Sequence, residues 1–291
     1  MTTLGTVLLP HHKPERLRSV ARAADEAGLE ELWLWEDCFY ESGVATAAAA
    51  LAWTERLRIG LGVLPVPLRN VALTAMEVAT VNRLFPGRLR LGIGHGVQDW
   101  MAQVGERVES PMTLLREYTT ALRSLLHGEQ VTTEGRYVRL DHVALDWPPP
   151  SASTVFLGAV GPQTLRLSGE LADGTVLTGG TPPDRVREAR RIIDEGRTGG
   201  GRTDAHHVVV YLHTAAGPDA AARIAAERDR WGYDEDSEAT VAGDASAVAE
   251  AVIRWAEAGA DTVVLQPTPD DPDPVGFVRF VASEVRPLVA R

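Results

Sequence analysis

The chain has 291 residues, 44% of them hydrophobic, with a formal net charge of −11 and a single cysteine, Cys38. That length allows one large α/β domain or two small ones. The acidic balance argues against a nucleic-acid partner, and a lone cysteine excludes an intramolecular disulfide. No apolar run approaches the ~20 residues that span a bilayer, and the first residues lack a signal-like pattern. The expectation is a cytoplasmic protein with no membrane partner.

In chain order, eight apolar runs read as strands: Gly5–Leu9, Glu31–Trp35, Arg58–Val63, Arg88–Gly94, Thr154–Ala159, Gly174–Thr178, His207–His213 and Thr262–Gln266. Helical segments follow each in turn, at Glu15–Ala27, Val44–Trp53, Val71–Leu84, Met112–His127, Gln163–Leu171, Arg185–Glu195, Asp219–Arg230 with Ala247–Ala258, and Val275–Val289. Eight β-α pairs in so regular a series favour a (β/α)8 barrel spanning residues 1–291 as one domain. An open doubly wound sheet is the competing architecture. Three segments depart from the repeat. Residues 130–145 read as an inserted hairpin, Gly196–Asp204 as a glycine-rich, mobile or solvent-facing loop, and Trp231–Gly243 as an acidic loop that is either disordered or a lid.

Two strands end in glycine, Arg58–Pro65 and Pro86–Gly96. Such ends let a ligand approach the backbone or let the chain take unusual dihedrals. Together they suggest a backbone-lined site for a flat cofactor at the C-terminal face of a parallel barrel. Gly62 has two readings, a bulge or a simple close approach between strands. After strand five, Gly158-Ala-Val-Gly-Pro-Gln163 leads into a helix whose first N–H groups can hold a phosphate, or is an ordinary βα turn.

The adjacent carboxylates Glu36 and Asp37 suit acid/base work, because mutual repulsion raises one pKa. Neighbours on a strand face opposite ways, so one of them reaches the pocket; Glu36 is the choice, with Asp37 toward substrate. His95, between Gly94 and Gly96, is a second acid/base candidate or a plain hydrogen-bonding group. His11 and His12 follow strand one, where His11 can meet substrate; their adjacency does not suit a metal site, and none is expected. Trp33 reads as core, Trp35 or Trp100 as cavity lining. Arg69 holds an anion or caps a helix, and Cys38 reads as a small buried residue.

Trp33-Leu-Trp-Glu-Asp37, Gly60-Leu-Gly-Val63 with Arg69, Phe85-Pro-Gly-Arg-Leu-Arg-Leu-Gly-Ile-Gly94 and Gly158-Ala-Val-Gly-Pro162 resemble the luciferase-like oxidoreductase superfamily. The similarity runs from Gly5 to Pro287 and is greatest to the compact branch that uses coenzyme F-420, an 8-hydroxy-5-deazaflavin. The resemblance implies a (β/α)8 barrel with the cofactor at its C-terminal mouth. It implies a bulge in strand three, often with a non-prolyl cis peptide, that supports the tricyclic ring; Gly62-Val63 is the matching position. Gly161, Pro162 and Gln163 would contact the phosphate or ring edge, and Gly94, Gly96 and Gly158 would line the cofactor. The superfamily often places a histidine after the carboxylate that leaves strand two. Here Cys38 stands instead, which argues against a sugar-phosphate dehydrogenase.

The implied function is hydride transfer between F-420 and a small organic substrate, with Glu36 and His95 catalytic and His11, Asp37 and Trp100 on the substrate. An FMN-dependent monooxygenase served by a flavin reductase is the alternative, and a non-catalytic flavin-binding barrel a further one. Relatives are frequently homodimers.

Overall fold

The computed structural model describes residues 2–151, 153–234 and 237–289. Eight strands are parallel and close on themselves: β1 (Thr3–Leu8), β2 (Glu31–Leu34), β3 (Arg58–Pro65), β4 (Leu89–Gly94), β7 (Val155–Gly158), β8 (Gly174–Leu177), β9 (His207–Ala215) and β11 (Thr262–Pro267). Pairing of β8 with β9 and of β11 with β1 completes the ring. The open sheet is thereby excluded, and the (β/α)8 barrel stands.

Side-chain alternation explains both layers. Leu32, Leu34, Ile59, Leu61, Leu91 and Ile93 point outward into the large core shared with the helices. The inward row forms a second, smaller core of Val7, Leu9, Trp33, Phe156, Val176, Val209, Tyr211 and Val264, with Trp35 and Val63 against it. Large rings need small neighbours in so narrow a space. A Cβ on Gly60 would lie 2.3 Å from the Trp33 ring, so that glycine makes room for the indole.

The helices are α1 (Leu17–Glu26), α2 (Gly43–Ala52), α3 (Val71–Leu84), α4 (Gln98–Gln103), α5 (Pro111–Leu126), α6 (Pro162–Leu171), α7 (Pro183–Gly199), α8 (Ala220–Trp231), α9 (Ala245–Glu257) and α10 (Pro274–Phe280). After α10 the chain passes through a π-helical turn, Val281–Val285, into α11 (Arg286–Val289). The single helix expected over Val275–Val289 is thus interrupted just before Pro287, which lacks an N–H and crowds the preceding turn. An antiparallel hairpin of β5 (Val131–Glu134) and β6 (Arg139–Val143) stands apart from the barrel. No helix among the described residues is long and apolar enough to cross a membrane.

The loop expected at Gly196–Asp204 is instead helical at its start, because α7 continues through Gly199. The reason is tertiary. A Cβ on Gly169 would fall 2.0 Å from the Ile193 carbonyl oxygen, and one on Gly196 2.1 Å from that of Arg166. Glycines that weaken a helix in isolation here let α6 and α7 pack backbone to backbone. Beyond the helix, Arg202 binds both Asp173 (2.8 Å) and Asp204. The acidic loop expected at Trp231–Gly243 also differs: Trp231 ends α8, and β10 (Thr240–Ala242) pairs in parallel with β9. Residues 235 and 236 of that segment lie outside the described residues.

Candidate active site

The strand register sets what reaches the C-terminal mouth. Along β2, Trp33 and Trp35 belong to the inner row and Leu32 and Leu34 to the outer one. By the same alternation Asp37 continues the inner row and Glu36 the outer. Contacts agree. Oε2 of Glu36 accepts the Gly43 backbone N–H at 2.7 Å, at the start of α2, and Oε1 is bound by the Arg69 guanidinium. Arg69 in turn stands 3.6 Å from Glu77 of α3. Glu36 therefore ties strand β2 to the helix layer instead of entering the pocket. Asp37 is the half-buried carboxylate on the pocket side, and burial raises its pKa above the ordinary carboxylate value.

Strand β3 carries the irregularity that shapes the floor. Leu61 pairs with Leu91 and Leu64 with Ile93, so three steps on β3 match two on β4. That is a bulge: one extra residue, and two successive residues turned the same way. Gly62 and Val63 both face inward while Leu64 returns to the outer core. The Gly62–Val63 peptide bond is cis, as is Cys38–Phe39 just beyond Asp37.

The inward Val63 changes the reading of two glycines. A Cβ on Gly94 would lie 2.7 Å from Val63 Cγ2, and one on Gly158 3.0 Å from its Cγ1. These glycines accommodate the bulge's own side chain, so any ligand meets them through Val63. Gly96 has φ +70° and packs under Pro65 and Met101. Gly161 is open, with nothing within 4 Å of a built Cβ, and caps α6 with no side chain on its first N–H groups. Pro162 and Gln163 follow it at the rim, beside a cleft of about 560 Å³ that Thr181 and Arg185 also line.

His95 continues the outer row of β4. Its Nε2 lies 3.0 Å from the Thr164 hydroxyl of α6, and burial lowers its pKa. It is joined to the helix layer and not to Asp37. His11 is exposed and stacks on His12 at 4.2 Å. Trp100 is half-buried on α4, which follows β4 at the mouth. The structure thus groups Asp37, Gly62 and Val63 at the centre, leaves Gly161, Pro162 and Gln163 on one rim, and sends Glu36 and His95 to the helix side.

Sequence reasoning passed over the residues that complete the centre. Tyr211 and His213 on β9 and Gln266 on β11 continue inner rows beyond Val209 and Val264. A polar residue at the C-terminal end of an inward row was the available signal. Tyr211 meets Trp35 edge to face at 5.5 Å, and its hydroxyl lies 2.3 Å from where a Cβ on Gly62 would be. Trp35 Nε1, the Tyr211 hydroxyl and Gln266 Oε1 are all buried with no hydrogen-bond partner among the described residues. Buried polar atoms are nearly always satisfied. Three orphans converging on one mouth, above an apolar floor of Val63 and aromatic rings, are the arrangement of a ligand site.

Residues 2–237 match the luciferase-like monooxygenase family. The chain is 27% identical over 220 residues to a 5,10-methylenetetrahydromethanopterin reductase of Methanolobus tindarius, covering 75% of this chain and 67% of that protein. It is 29% identical over 206 residues to an F-420-dependent glucose-6-phosphate dehydrogenase of Nakamurella multipartita, covering 62% of this chain and 61% of the relative. The matched stretches thus span about two-thirds of these relatives. A solved F-420-dependent secondary alcohol dehydrogenase, in complex with an F-420–acetone adduct, superposes with a TM-score of 0.87 at 20% identity, covering 99% of both chains.

Proposed function

The chain belongs to the luciferase-like monooxygenase family, and from that membership we propose that it is an oxidoreductase binding coenzyme F-420 and exchanging a hydride with a small organic substrate. The observation that carries this reading is the Gly62–Val63 bulge. It presents a flat, apolar floor ringed by the unpaired polar atoms of Trp35, Tyr211 and Gln266. A planar ring with polar edges fits that combination, and relatives of this chain use the same deazaflavin.

In this reading Val63 and Trp35 support the ring, and the Tyr211 hydroxyl and Gln266 meet its polar edge. The open N-terminus of α6 at Gly161, Pro162 and Gln163, with Arg185 across the cleft, binds the phosphate of the side chain. The bound deazaflavin supplies the hydride chemistry. The chain's own residues orient the reactants, exclude water and manage the accompanying proton. Asp37 stands toward the substrate, its protonated form favoured by burial. His11 and Trp100 flank the opening toward substrate.

We place the enzyme in the cytoplasm as a homodimer, through the α3 face that exposes Leu73 (47%) and Met76 (58%). A flavin or deazaflavin reductase that supplies the reduced cofactor is its partner in this reading. A parallel fluorescence titration of the purified protein with F-420 and FMN tests the assignment. Selective F-420 binding supports hydride transfer; selective FMN binding overturns it in favour of monooxygenase chemistry, and binding of neither removes the cofactor assignment.

A further inference from the structure

A second polar pair sits at the mouth, on the side opposite Asp37's strand. His213 ends the inward row of β9, is 2% exposed, and lies 6.1 and 6.0 Å from the rings of Trp231 and Tyr233. Its Nδ1 stands 3.4 Å from Oε1 of Glu227, whose side chain is 3% exposed on α8. That carboxylate is itself held in place. It accepts the Trp231 indole N–H at 2.8 Å and has Arg230 at 3.7 Å. The other ring nitrogen, Nε2, lies beside Gly179, a residue that lines the cleft of about 560 Å³: a Cβ on Gly179 would lie 2.6 Å from it and 3.1 Å from Gln266 Oε1.

We propose that His213 is the group that takes up and returns the hydroxyl proton of an alcohol/carbonyl substrate, through Nε2, with Glu227 as its positioning residue. The proposal rests on the hydride-transfer reading above. Oxidation of a secondary alcohol illustrates the balance. The O–H bond breaks and its proton passes to Nε2, while the O–H electron pair becomes the second C–O bond. The C–H pair leaves as hydride to the oxidised deazaflavin, so the substrate loses one hydride and one proton. The imidazolium formed is balanced by Glu227.

Three features support the assignment. The Glu227 carboxylate, 3.4 Å from Nδ1, favours the proton on that nitrogen and leaves Nε2 as the acceptor. Burial lowers the imidazole pKa to about 4, with Glu227, Arg230 and Tyr233 the ionisable groups around it, so the ring rests neutral and the proton it takes up depends on the Glu227 carboxylate for stabilisation. Cys38 offers no equivalent base, since burial and the charges of Glu36 and Asp37 raise its thiol pKa.

The test is ¹⁵N–¹H NMR of the histidine rings in the full chain, with His213→Gln identifying the His213 signals. At pH 7 the proton is expected on Nδ1, and propan-2-ol added to the F-420 complex is expected to shift the Nε2 resonance. Glu227→Gln is expected to move the proton toward Nε2. His213→Gln is expected to bind F-420 within about twofold of wild type. A proton found on Nε2 in the wild type, or an Nε2 signal unmoved by the alcohol, overturns the proposal. Failure of the wild type to bind F-420 instead overturns the cofactor reading, and the tautomer separates the two failures.

Discussion

The Arg69 guanidinium binds the carboxylate of Glu36, and the two side chains are only 14% and 10% exposed. This pair, with the Gly43 N–H, turns the first carboxylate after β2 into a brace between strand and helix layer. Arg69→Ala leaves that buried carboxylate with only the Gly43 N–H as partner, and is expected to destabilise the protein by about 3 kcal/mol in urea unfolding. Glu36→Gln is expected to retain F-420 affinity. A Glu36→Gln protein of unchanged stability that no longer binds cofactor would contradict the bracing role.

Gly62 and Tyr211 form a second diagnostic pair. A methyl group on Gly62 must displace the Tyr211 hydroxyl, which lies 2.3 Å from its position. Gly62→Ala is expected to cost about 1–3 kcal/mol, the range for overpacking. Tyr211→Phe in the same chain is expected to recover part of that loss. A double-mutant cycle measured by thermal unfolding reads the coupling, and strict additivity would show that the two do not interact.

Gly196 pits local propensity against packing. Glycine to alanine inside an exposed helix gains about 0.5–1 kcal/mol. Here the new Cβ would sit 2.1 Å from a backbone carbonyl of α6, which has no flexible end to move aside. Packing is expected to win, with Gly196→Ala losing about 1–3 kcal/mol. A stabilised variant would mean that α6 and α7 separate without penalty.

Stability is expected to fall on mild acidification. Burial holds the pKa of both His206 and His213 down to about 4, against 6.5 for the free side chain. The unfolded chain therefore binds more protons than the native one below pH 6.5. The stability contributed by keeping each ring neutral is full above pH 6.5 and declines as pH drops toward 4, by at most about 3 kcal/mol per ring. Urea midpoints at pH 7, 6 and 5 give the slope. His206→Asn, which also removes the 2.8 Å contact to Thr175, is expected to flatten it; an unchanged slope would assign the effect elsewhere.

The sequence by itself determined the eight β-α units and favoured a barrel, because few folds bury both faces of every strand. Closure was decided by the pairing of β8 with β9 and of β11 with β1. The glycine-rich ends of β3 and β4 pointed to the C-terminal face, where the candidate site is proposed. What those glycines do was a tertiary matter. Gly94 and Gly158 make space for Val63, which faces inward only because a bulge in its own strand turned it. Gly196 continues a helix because another helix lies against it. The two carboxylates after β2 are equivalent in sequence, and only the side on which Arg69 stands separated them. His213 and Glu227 are 14 residues apart with no motif between them. Their meeting depends on α8 folding back onto β9, a contact that side-chain periodicity within either element does not encode.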